Sequence, residues 1–296
     1  MAGAAPDRPA LRILSIQSWV SYGHVGNAAA MFPLQRLGAE VWAVNTVQFS
    51  NHTGYPGWTG QVFTGEQVAA LVEGIATRGA LASCDAVLSG YMGSAGVGAA
   101  ILDAVARARS ANARALYCCD PVIGDVGKGV FVREGIPELL RDRAVPAADL
   151  LTPNQFELER LTGRRCGTLE EAKGAVAALR RAMAPDGPRA VLVTSLRTAE
   201  TPDDALDLLA ADDHGTALLR VPLLQIQANG AGDVTAALFL LHMLGASGAK
   251  AALERAASSV HGLLRRTVEA RSAELLLVEA QDEFALPSCR FRAEPC

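Results

Sequence analysis

The chain has 296 residues, half of them apolar, and a formal net charge of −4. This size and composition allow one large α/β domain or two small ones. Lysine and arginine are scattered rather than clustered, which argues against nucleic acid or an anionic membrane as the main partner. The longest strongly apolar run, residues 234–244, is too short to cross a bilayer and contains His242. We therefore expect no nucleic-acid role and no membrane role.

The N-terminus and the cysteines suggest where the protein works. Residues 1–10 have neither a basic start nor an apolar signal core, so we expect a disordered tail. The six cysteines include no Cys-x-x-Cys pair, and Cys118 and Cys119 lie inside an expected strand. This pattern favours reduced thiols over a disulfide framework or a zinc site. The sequence thus predicts a cytoplasmic protein.

Short apolar runs alternate along the chain with longer stretches of helical period. The predicted strands are 12–17, 41–46, 86–89, 115–119, 150–152 and 190–194. The predicted helices are 25–37, 65–78, 97–111, 154–161, 169–183, 233–244 and 249–270. A hairpin is expected over residues 207–224, around the turn Asp-Asp-His-Gly.

The alternation predicts an α/β fold with a mostly parallel central sheet and helices on both faces. No repeat or linker divides the pattern, so we expect a single domain over residues 11–285, followed by a C-terminal tail over residues 286–296. Ligands of such sheets gather beyond the carboxyl ends of the strands. The candidate segments after the predicted strands are Ser18, 45–58, 90–93, 120–129, 152–157 and 194–195.

Residues 119–129, Cys-Asp-Pro-Val-Ile-Gly-Asp-Val-Gly-Lys-Gly, carry two aspartates. Asp120 follows a buried strand, and Asp125 lies in a glycine-rich turn. Such aspartates either stabilise turns or hold Mg²⁺, directly or through waters. The spacing alone does not decide between these two interpretations.

Residues 152–161 begin a helix at Asn154, and Glu157 follows three residues later. This spacing is that of a capping box. Thr168 and Glu171 have the same spacing in a place without any other site signal. The surroundings of Glu157 therefore favour a second role for it beside capping.

Residues 45–58 are too polar and aromatic for an ordinary connection between two elements. Asn51, His52, Thr53, Tyr55 and Trp58 could line a pocket for a flat heteroaromatic ring. The alternative is a β-turn at Thr-Gly-Tyr-Pro-Gly, and the two interpretations are compatible.

Residues 230–233, Gly-Ala-Gly-Asp, open the apolar helix expected at 233–244. A helix start exposes unpaired backbone N–H groups and attracts anions, and the glycines let the backbone approach a phosphate. Asp233 is placed to take a proton from an attacking hydroxyl group if a phosphoryl group is transferred there. The sequence contains no P-loop motif, so this segment is the candidate phosphate site.

Taken together, these segments resemble the pyridoxal kinases, a branch of the ribokinase-like superfamily, over about residues 11–270. Gly-Ala-Gly-Asp at 230–233 marks only the superfamily. Residues 45–55, Asn-Thr-Val-Gln-Phe-Ser-Asn-His-Thr-Gly-Tyr, are far more specific to the pyridoxal branch. Residues 15–27, 119–129, 151–163 and 193–195 complete the resemblance.

The resemblance implies ATP-dependent phosphorylation of the 5′-hydroxyl of pyridoxal in vitamin B6 salvage, with pyridoxine and pyridoxamine as further substrates. Asp233 would be the general base, and the amides of Gly230, Ala231 and Gly232 would form the anion hole. The substrate ring would be held by Ser18, Val20, Thr53 and Tyr91. The ATP-binding residues would be Asp120, Thr152, Glu157, Thr194 and Ser195. Asp120, Asp125 and Glu157 would serve Mg²⁺.

The resemblance also implies a bound K⁺ or Na⁺ ion, a homodimer and no separate lid domain. One departure from the family is Gln-Ala-Asn at residues 227–229, where relatives carry a longer segment with a hydrophobic pair before the glycines. We expect this departure to affect how the ligands are covered, and not the chemistry.

Two other functions compete with this interpretation. A related kinase could act on a hydroxymethylpyrimidine or a sugar, but the specific string at residues 45–58 argues against it. A weakly catalytic B6-binding protein could keep the fold, but such a protein would be free to lose Asp233, Glu157 and Asp120.

Overall fold

The computed structural model describes residues 10–226, 228–245 and 248–296. The tail expected at residues 1–10 therefore lies outside the described residues, except for Ala10, and so does Gln227 of the departing segment. In the described ranges, no helix combines the length and the apolar character that crossing a membrane requires.

Twelve strands occur in the described ranges. They are β1 (Arg12–Tyr22), β2 (Glu40–Asn51), β3 (Gly60–Val62), β4 (Ala86–Ser89), β5 (Leu116–Cys119), β6 (Gly124–Asp125), β7 (Gly129–Val130), β8 (Leu150–Leu151), β9 (Ala190–Leu196), β10 (Ala205–Asp212), β11 (Gly215–Pro222) and β12 (Glu294–Pro295). All except β6 and β7 form one sheet in the order β12-β11-β10-β9-β8-β5-β4-β1-β2-β3. Pairing is parallel from β2 across to β9, and antiparallel outside that central part.

Helices connect the parallel strands, and three more in the described ranges follow the hairpin of β10 and β11. The helices are α1 (Asn27–Arg36), α2 (Gly65–Ala76), α3 (Ala95–Ala111), α4 (Ile136–Leu139), α5 (Val145–Ala147), α6 (Gln155–Thr162), α7 (Leu169–Ala182), α8 (Ala231–Leu244), α9 (Gly248–Glu269) and α10 (Asp282–Ala285). A 3₁₀ turn (Ala80–Ser83) and a π turn (Leu140–Ala144) complete them.

Apolar side chains alternate between the two faces of the sheet and build a core on each. In β1, Leu14 and Ile16 enter the cluster covered by α2, α3, α6 and α7. Ile13 enters the opposite cluster, covered by α1, α8 and α9. Each fully buried aliphatic side chain contributes roughly 1.5–3 kcal/mol of transfer free energy. The predicted α/β class, with a mostly parallel sheet and helices on both faces, is confirmed.

The strands β1 and β2 run further than the sequence predicts. Their parallel pairing continues to Tyr22 and Asn51, with an irregular register between Gln17 and Trp19. Ser18 and residues 47–51 therefore lie within strands, and the prediction that they follow strands was wrong. The last residues of both strands are polar, so a search for apolar runs does not detect them. They are held in the strands by hydrogen bonding between β1 and β2. The extra residue in β2 forms a bulge beside Ser18.

The end of the chain joins the sheet. The predicted hairpin is present as β10 and β11, with its turn between Asp212 and Gly215. Residues Glu294–Pro295 pair antiparallel with β11, and Ala293 is buried. Residues at the C-terminus thus form the outermost strand beside the hairpin.

Candidate active site

The first turn of α8 holds the predicted base, Asp233. The helix begins after Gly230, whose φ of +89° is in the left-handed region that favours glycine. A Cβ atom on Gly230 would overlap the backbone carbonyl oxygen of His24. The glycine at 230 is therefore required by its conformation and by this packing, and not, as the sequence predicts, by the approach of a phosphate.

Gly232 meets the original expectation more closely. It is exposed, and the space that a Cβ atom would occupy has no described atom within 4 Å. The backbone amides of this first turn have no earlier helical carbonyl to bind, so they can receive an anion. Open space at Gly232 lets a phosphoryl group approach them.

Asp233 is half-buried at the same helix start. Burial raises the pKa of its carboxyl group to about 6, and a hydrogen bond from the backbone of Gly26 partly opposes that shift. The carboxyl group is therefore mostly ionised near neutral pH, and its pKa is close enough to the working pH for proton transfer.

Asp120 lies close to Asp233 at the end of β5. Its Oδ1 atom accepts a hydrogen bond from Thr152 Oγ1 at 2.8 Å. Burial and then the negative charge of Asp233 raise the pKa of Asp120 to about 7. Burial and then the charge of Asp120 raise the pKa of Glu157 well above its usual range. Asp120, Glu157 and Asp233 therefore form one chain of interacting carboxyl groups.

Glu157 holds backbone groups on two segments. The capping box predicted at Asn154 and Glu157 is present. Oε2 of Glu157 accepts from the N–H of Asn154 at 2.9 Å, and Oε1 accepts from the N–H of Ile123 at 3.0 Å. The second role that the structure shows for Glu157 is thus to fix the segment that follows Asp120.

Asp125 lies in the small hairpin of β6 and β7. Its Oδ1 atom accepts a hydrogen bond from the N–H of Val126 at 2.8 Å, as a turn-stabilising aspartate would. Among the described residues, no three His, Cys, Asp or Glu side chains come together as the ligands of a metal ion would. The protein ligands for Mg²⁺ named from the resemblance therefore remain an expectation.

A cavity of about 320 Å³ adjoins the start of α8. Its lining includes the hydroxyl-bearing Thr194 and Ser195 and the backbone of Ala231 and Gly232. Its remaining wall is mostly apolar and includes Leu208, Val221, Leu223, Ala228, Val260 and His261. An apolar pocket with backbone amides and hydroxyl groups in its lining has the character of a nucleotide site. The φ of Ser195 is +56°, a conformation that non-glycine residues rarely adopt and that often marks functional sites.

The predicted ring-holding residues are not among the described residues that line this cavity. Val20, Val47 and Phe49 form a small buried cluster, and Tyr91 packs against it. Ser18 is buried, and it packs against Gly26 so closely that a Cβ atom on Gly26 would overlap it. The structure thus brings Val20 and Tyr91 together, whereas Thr53 is exposed in the turn after β2.

Glu274 is a residue of this region that sequence reasoning missed. Its carboxyl group accepts a hydrogen bond from Tyr55 Oη at 2.7 Å and lies 3.1 Å from His52 Nε2. The pKa of Tyr55 is raised to about 12, and its hydrogen bond to Glu274 is the largest cause. No local pattern marks Glu274, because its partners are more than 200 residues away in the sequence.

Comparisons with known proteins identify the class. Residues 61–276 match the family model described as phosphomethylpyrimidine kinase. This match and the mostly parallel sheet place the chain among the ribokinase-like kinases of small molecules.

Closer relatives narrow the class to one family. The chain is 65% identical to the pyridoxal kinase PdxY of Granulibacter bethesdensis, over 97% of this chain and 100% of that protein. It is 53% identical to the pyridoxal kinase PdxY of Deinococcus radiodurans, over 99% of each. The structure of Leishmania donovani pyridoxal kinase in complex with ADP and pyridoxamine is similar with a TM-score of 0.87 and 30% identity, over 96% of this chain and 99% of that chain. The chain belongs to the pyridoxal kinase family and is a kinase, as the sequence predicts.

Proposed function

We propose that the protein transfers the γ-phosphoryl group of ATP to the 5′-hydroxyl of pyridoxal and so forms pyridoxal 5′-phosphate for vitamin B6 salvage. The observation that carries this proposal is the position of Asp233, a half-buried base in the first turn of α8. The nucleotide-like cavity is lined by Ala231 and Gly232 of that turn. Gly26, whose backbone binds Asp233, packs against Ser18 of the expected ring site.

The chemical step follows from this position. The 5′-oxygen attacks the γ-phosphorus in line, the bond between that phosphorus and the bridging oxygen breaks, and ADP leaves with the electron pair. Asp233 takes the proton of the hydroxyl group as the new bond forms. The amides of Gly230, Ala231, Gly232 and Asp233 stabilise the charge on the moving phosphoryl group.

The chain of carboxyl groups supports a divalent cation in the same reaction. The charge of Asp233 raises the pKa of Asp120, and the charge of Asp120 raises the pKa of Glu157. None of the causes of these shifts is a lysine or arginine of the described residues. A cation would offset this negative charge, and oxygen ligands suit Mg²⁺. We propose that Asp120 and Glu157, with Asp125 through water, hold Mg²⁺, which when bound neutralises charge on the phosphates.

The hydroxyl groups of Thr152, Thr194 and Ser195 belong to the same proposal. Thr194 and Ser195 line the cavity beside Ala231, and Thr152 binds Asp120. We propose that these oxygens contact ATP or a K⁺ or Na⁺ ion next to its phosphates. Initial rates in potassium, sodium and tetramethylammonium salts test the monovalent ion.

The family model and the relatives suggest different substrates. The matching family model is named for a phosphomethylpyrimidine, so a pyrimidine related to it, such as hydroxymethylpyrimidine, is a second candidate substrate. A solved Leishmania donovani relative with 30% identity is a complex of ADP with pyridoxine, so pyridoxine and pyridoxamine are candidates too. An assay of ADP release over pyridoxal, pyridoxine, pyridoxamine, hydroxymethylpyrimidine and ribose decides between them. A higher kcat/KM for hydroxymethylpyrimidine or ribose than for the three B6 vitamers would overturn the proposal.

We also propose that the protein acts in the cytoplasm as a homodimer. All six cysteines are free thiols, and four of them are buried, which suits a reducing compartment. The dimer rests on the family resemblance alone, and sedimentation velocity at micromolar concentration tests it.

A further inference from the structure

Glu274 lies where three separate segments of the active-site region meet. Its backbone is fixed by its own neighbours, because Ser272 Oγ donates to the carbonyl of Glu274 at 2.6 Å and accepts from its N–H at 3.2 Å. The next residue, Leu275, is buried and packs beside Gly230. The side chain of Glu274 is 14% exposed, so most of its contacts are with protein.

The Oε1 atom of Glu274 holds the turn that follows β2. Gly54 N–H donates to His52 Nδ1 at 3.2 Å, so the other ring nitrogen of His52, Nε2, carries the proton and donates to Oε1 at 3.1 Å. Tyr55 Oη donates to the same oxygen at 2.7 Å, and its ring stacks on His52 with 4.6 Å between centroids. One carboxylate oxygen therefore fixes both aromatic side chains of this turn.

The Oε2 atom holds a different segment, the turn after β1. It accepts from the N–H of His24 at 3.3 Å, and it occupies the space that a Cβ atom on Gly23 would need. The carbonyl of His24 in turn packs on Gly230 at the start of α8. This oxygen therefore acts, through His24, on the turn that forms the anion hole.

We propose that Glu274 is a positioning residue that fixes the substrate turn at residues 52–55 and the anion-hole turn at Gly230 relative to each other. The inference rests on the proposed function, because it assigns Glu274 a part in the geometry of that reaction. A carboxylate suits this position because all of its partners are donors, and no other protein side chain of this length accepts on both ends.

The division between the two oxygens gives a specific expectation for two variants. Glu274→Gln can keep one oxygen for Tyr55 and His52, and its NH₂ group then faces the N–H of His24, which has no acceptor left. Tyr55→Phe removes one donor to Oε1 and leaves His24 untouched. The glutamine variant should therefore disturb the anion hole, and the phenylalanine variant should disturb the substrate turn.

The experiment measures kcat and KM for pyridoxal with the full chain and Mg²⁺–ATP, together with thermal unfolding. Glu274→Gln should lower kcat about 10-fold or more, and Tyr55→Phe should raise KM about 3-fold or more with kcat within about 2-fold of wild type. Glu279→Gln, an exposed glutamate five residues along the chain, is the matched control and should match wild type.

The outcomes separate this inference from the proposed function. If wild type does not phosphorylate pyridoxal, the proposed function fails. Suppose that wild type is active and that Glu274→Gln lowers the melting temperature but leaves kcat and KM unchanged at temperatures where the variant is folded. Glu274 is then merely structural, and the inference is overturned. Parallel changes of kcat and KM in Glu274→Gln and Tyr55→Phe would also overturn it, because the two oxygens would then have no separate roles.

Discussion

The backbone carbonyl of His24 lies directly against Gly230, so that the turn after β1 and the start of α8 share one closely packed contact. Gly232, two residues further, faces open space. The two glycines of the same short motif therefore serve different purposes: Gly230 lets two backbone segments meet, and Gly232 leaves room for a ligand.

Alanine at each glycine should separate these purposes. Gly230→Ala forces a side chain into the His24 carbonyl at a positive φ and should lower the free energy of unfolding by about 2 kcal/mol or more. Gly232→Ala lies inside α8, where alanine favours the helix by about 0.5–1 kcal/mol, so stability should hold or rise while kinase activity falls. Urea unfolding and ADP release measure the two properties. Normal activity in folded Gly232→Ala would show that no phosphate approaches there.

The base is tested by Asp233→Asn. The variant should fold and bind pyridoxal, and its turnover should fall by roughly 10²–10⁴, as expected for a positioned base. Because the base acts when ionised and the pKa of Asp233 is raised to about 6, wild-type kcat/KM should rise with pH through that value and then level off. The residual activity of the variant should lack this rise. Near-wild-type turnover would remove Asp233 from the mechanism.

The fold and the site differ in how far the sequence predicts them. The capping box of Asn154 and Glu157 is a local pattern of three residues, so the sequence predicts it correctly. The hypothesis that Asp233 is the base also rests on a local pattern, since the glycines that mark a helix start are its immediate neighbours. Glu274 could not be found, because its role depends on His52, which is 222 positions away. The long ends of β1 and β2 were missed for the same reason, since each strand is extended by pairing with the other.

Without ligands, the free energy of unfolding should depend on pH because the carboxyl group of Asp120 is buried near that of Asp233. Its pKa is raised from the ordinary 3.8 to about 7 in the folded protein, so the folded state binds more protons between these two pH values. The contribution of Asp120 to the free energy of unfolding therefore falls as pH rises through this range. Asp120→Asn keeps an oxygen for Thr152 and removes the charge, so at pH 8 it should be more stable than wild type by about 1–3 kcal/mol.

Thermal unfolding of wild type and Asp120→Asn at pH 5 and pH 8 measures this effect. The difference between the two proteins should shrink towards pH 5, where wild-type Asp120 is already mostly protonated in the folded state. Kinase activity of the variant should be low, since Asp120 is proposed to hold Mg²⁺. If Asp120→Asn is less stable than wild type at pH 8, the idea that Asp120 carries an uncompensated buried charge is wrong.

Glu157→Gln tests whether Glu157 serves Mg²⁺ in addition to capping α6. Glu171→Gln, in the capping box of α7, is the control. Both oxygens of Glu157 accept backbone N–H groups, so glutamine leaves one of those donors unpaired and should cost about 1 kcal/mol. Glu171 binds Gly167 and Thr168 through Oε2 alone, so glutamine can replace it with little loss. Only Glu157→Gln should raise the Mg²⁺ concentration needed for half-maximal rate. Unchanged Mg²⁺ dependence with lower stability would restrict Glu157 to capping.

Ser18 and Ser21 lie on the same strand and offer a matched pair for the ring pocket. Ser18 is buried at the bulge beside Gly26, whose backbone also reaches Asp233. Ser21 is exposed, and its hydroxyl accepts from Gln48 Nε2 at 3.1 Å. If the Ser18 hydroxyl pairs with a polar atom of the pyridine ring, Ser18→Ala should weaken pyridoxal binding by about 1–3 kcal/mol. That change corresponds to roughly 5- to 150-fold in Kd.

Calorimetric titration of each alanine variant with pyridoxal and with ADP measures the effect. The affinity for ADP should stay within about 2-fold in Ser18→Ala, because no β1 residue is among the described residues that line the nucleotide cavity. Ser21→Ala should bind both ligands as wild type does. Equal losses for pyridoxal and ADP in Ser18→Ala would mean that the serine supports the backbone around Gly26 and Asp233 and does not recognise the ring. No loss for either ligand would remove Ser18 from the substrate site, and the ring would then be held by the apolar cluster of Val20 and Tyr91.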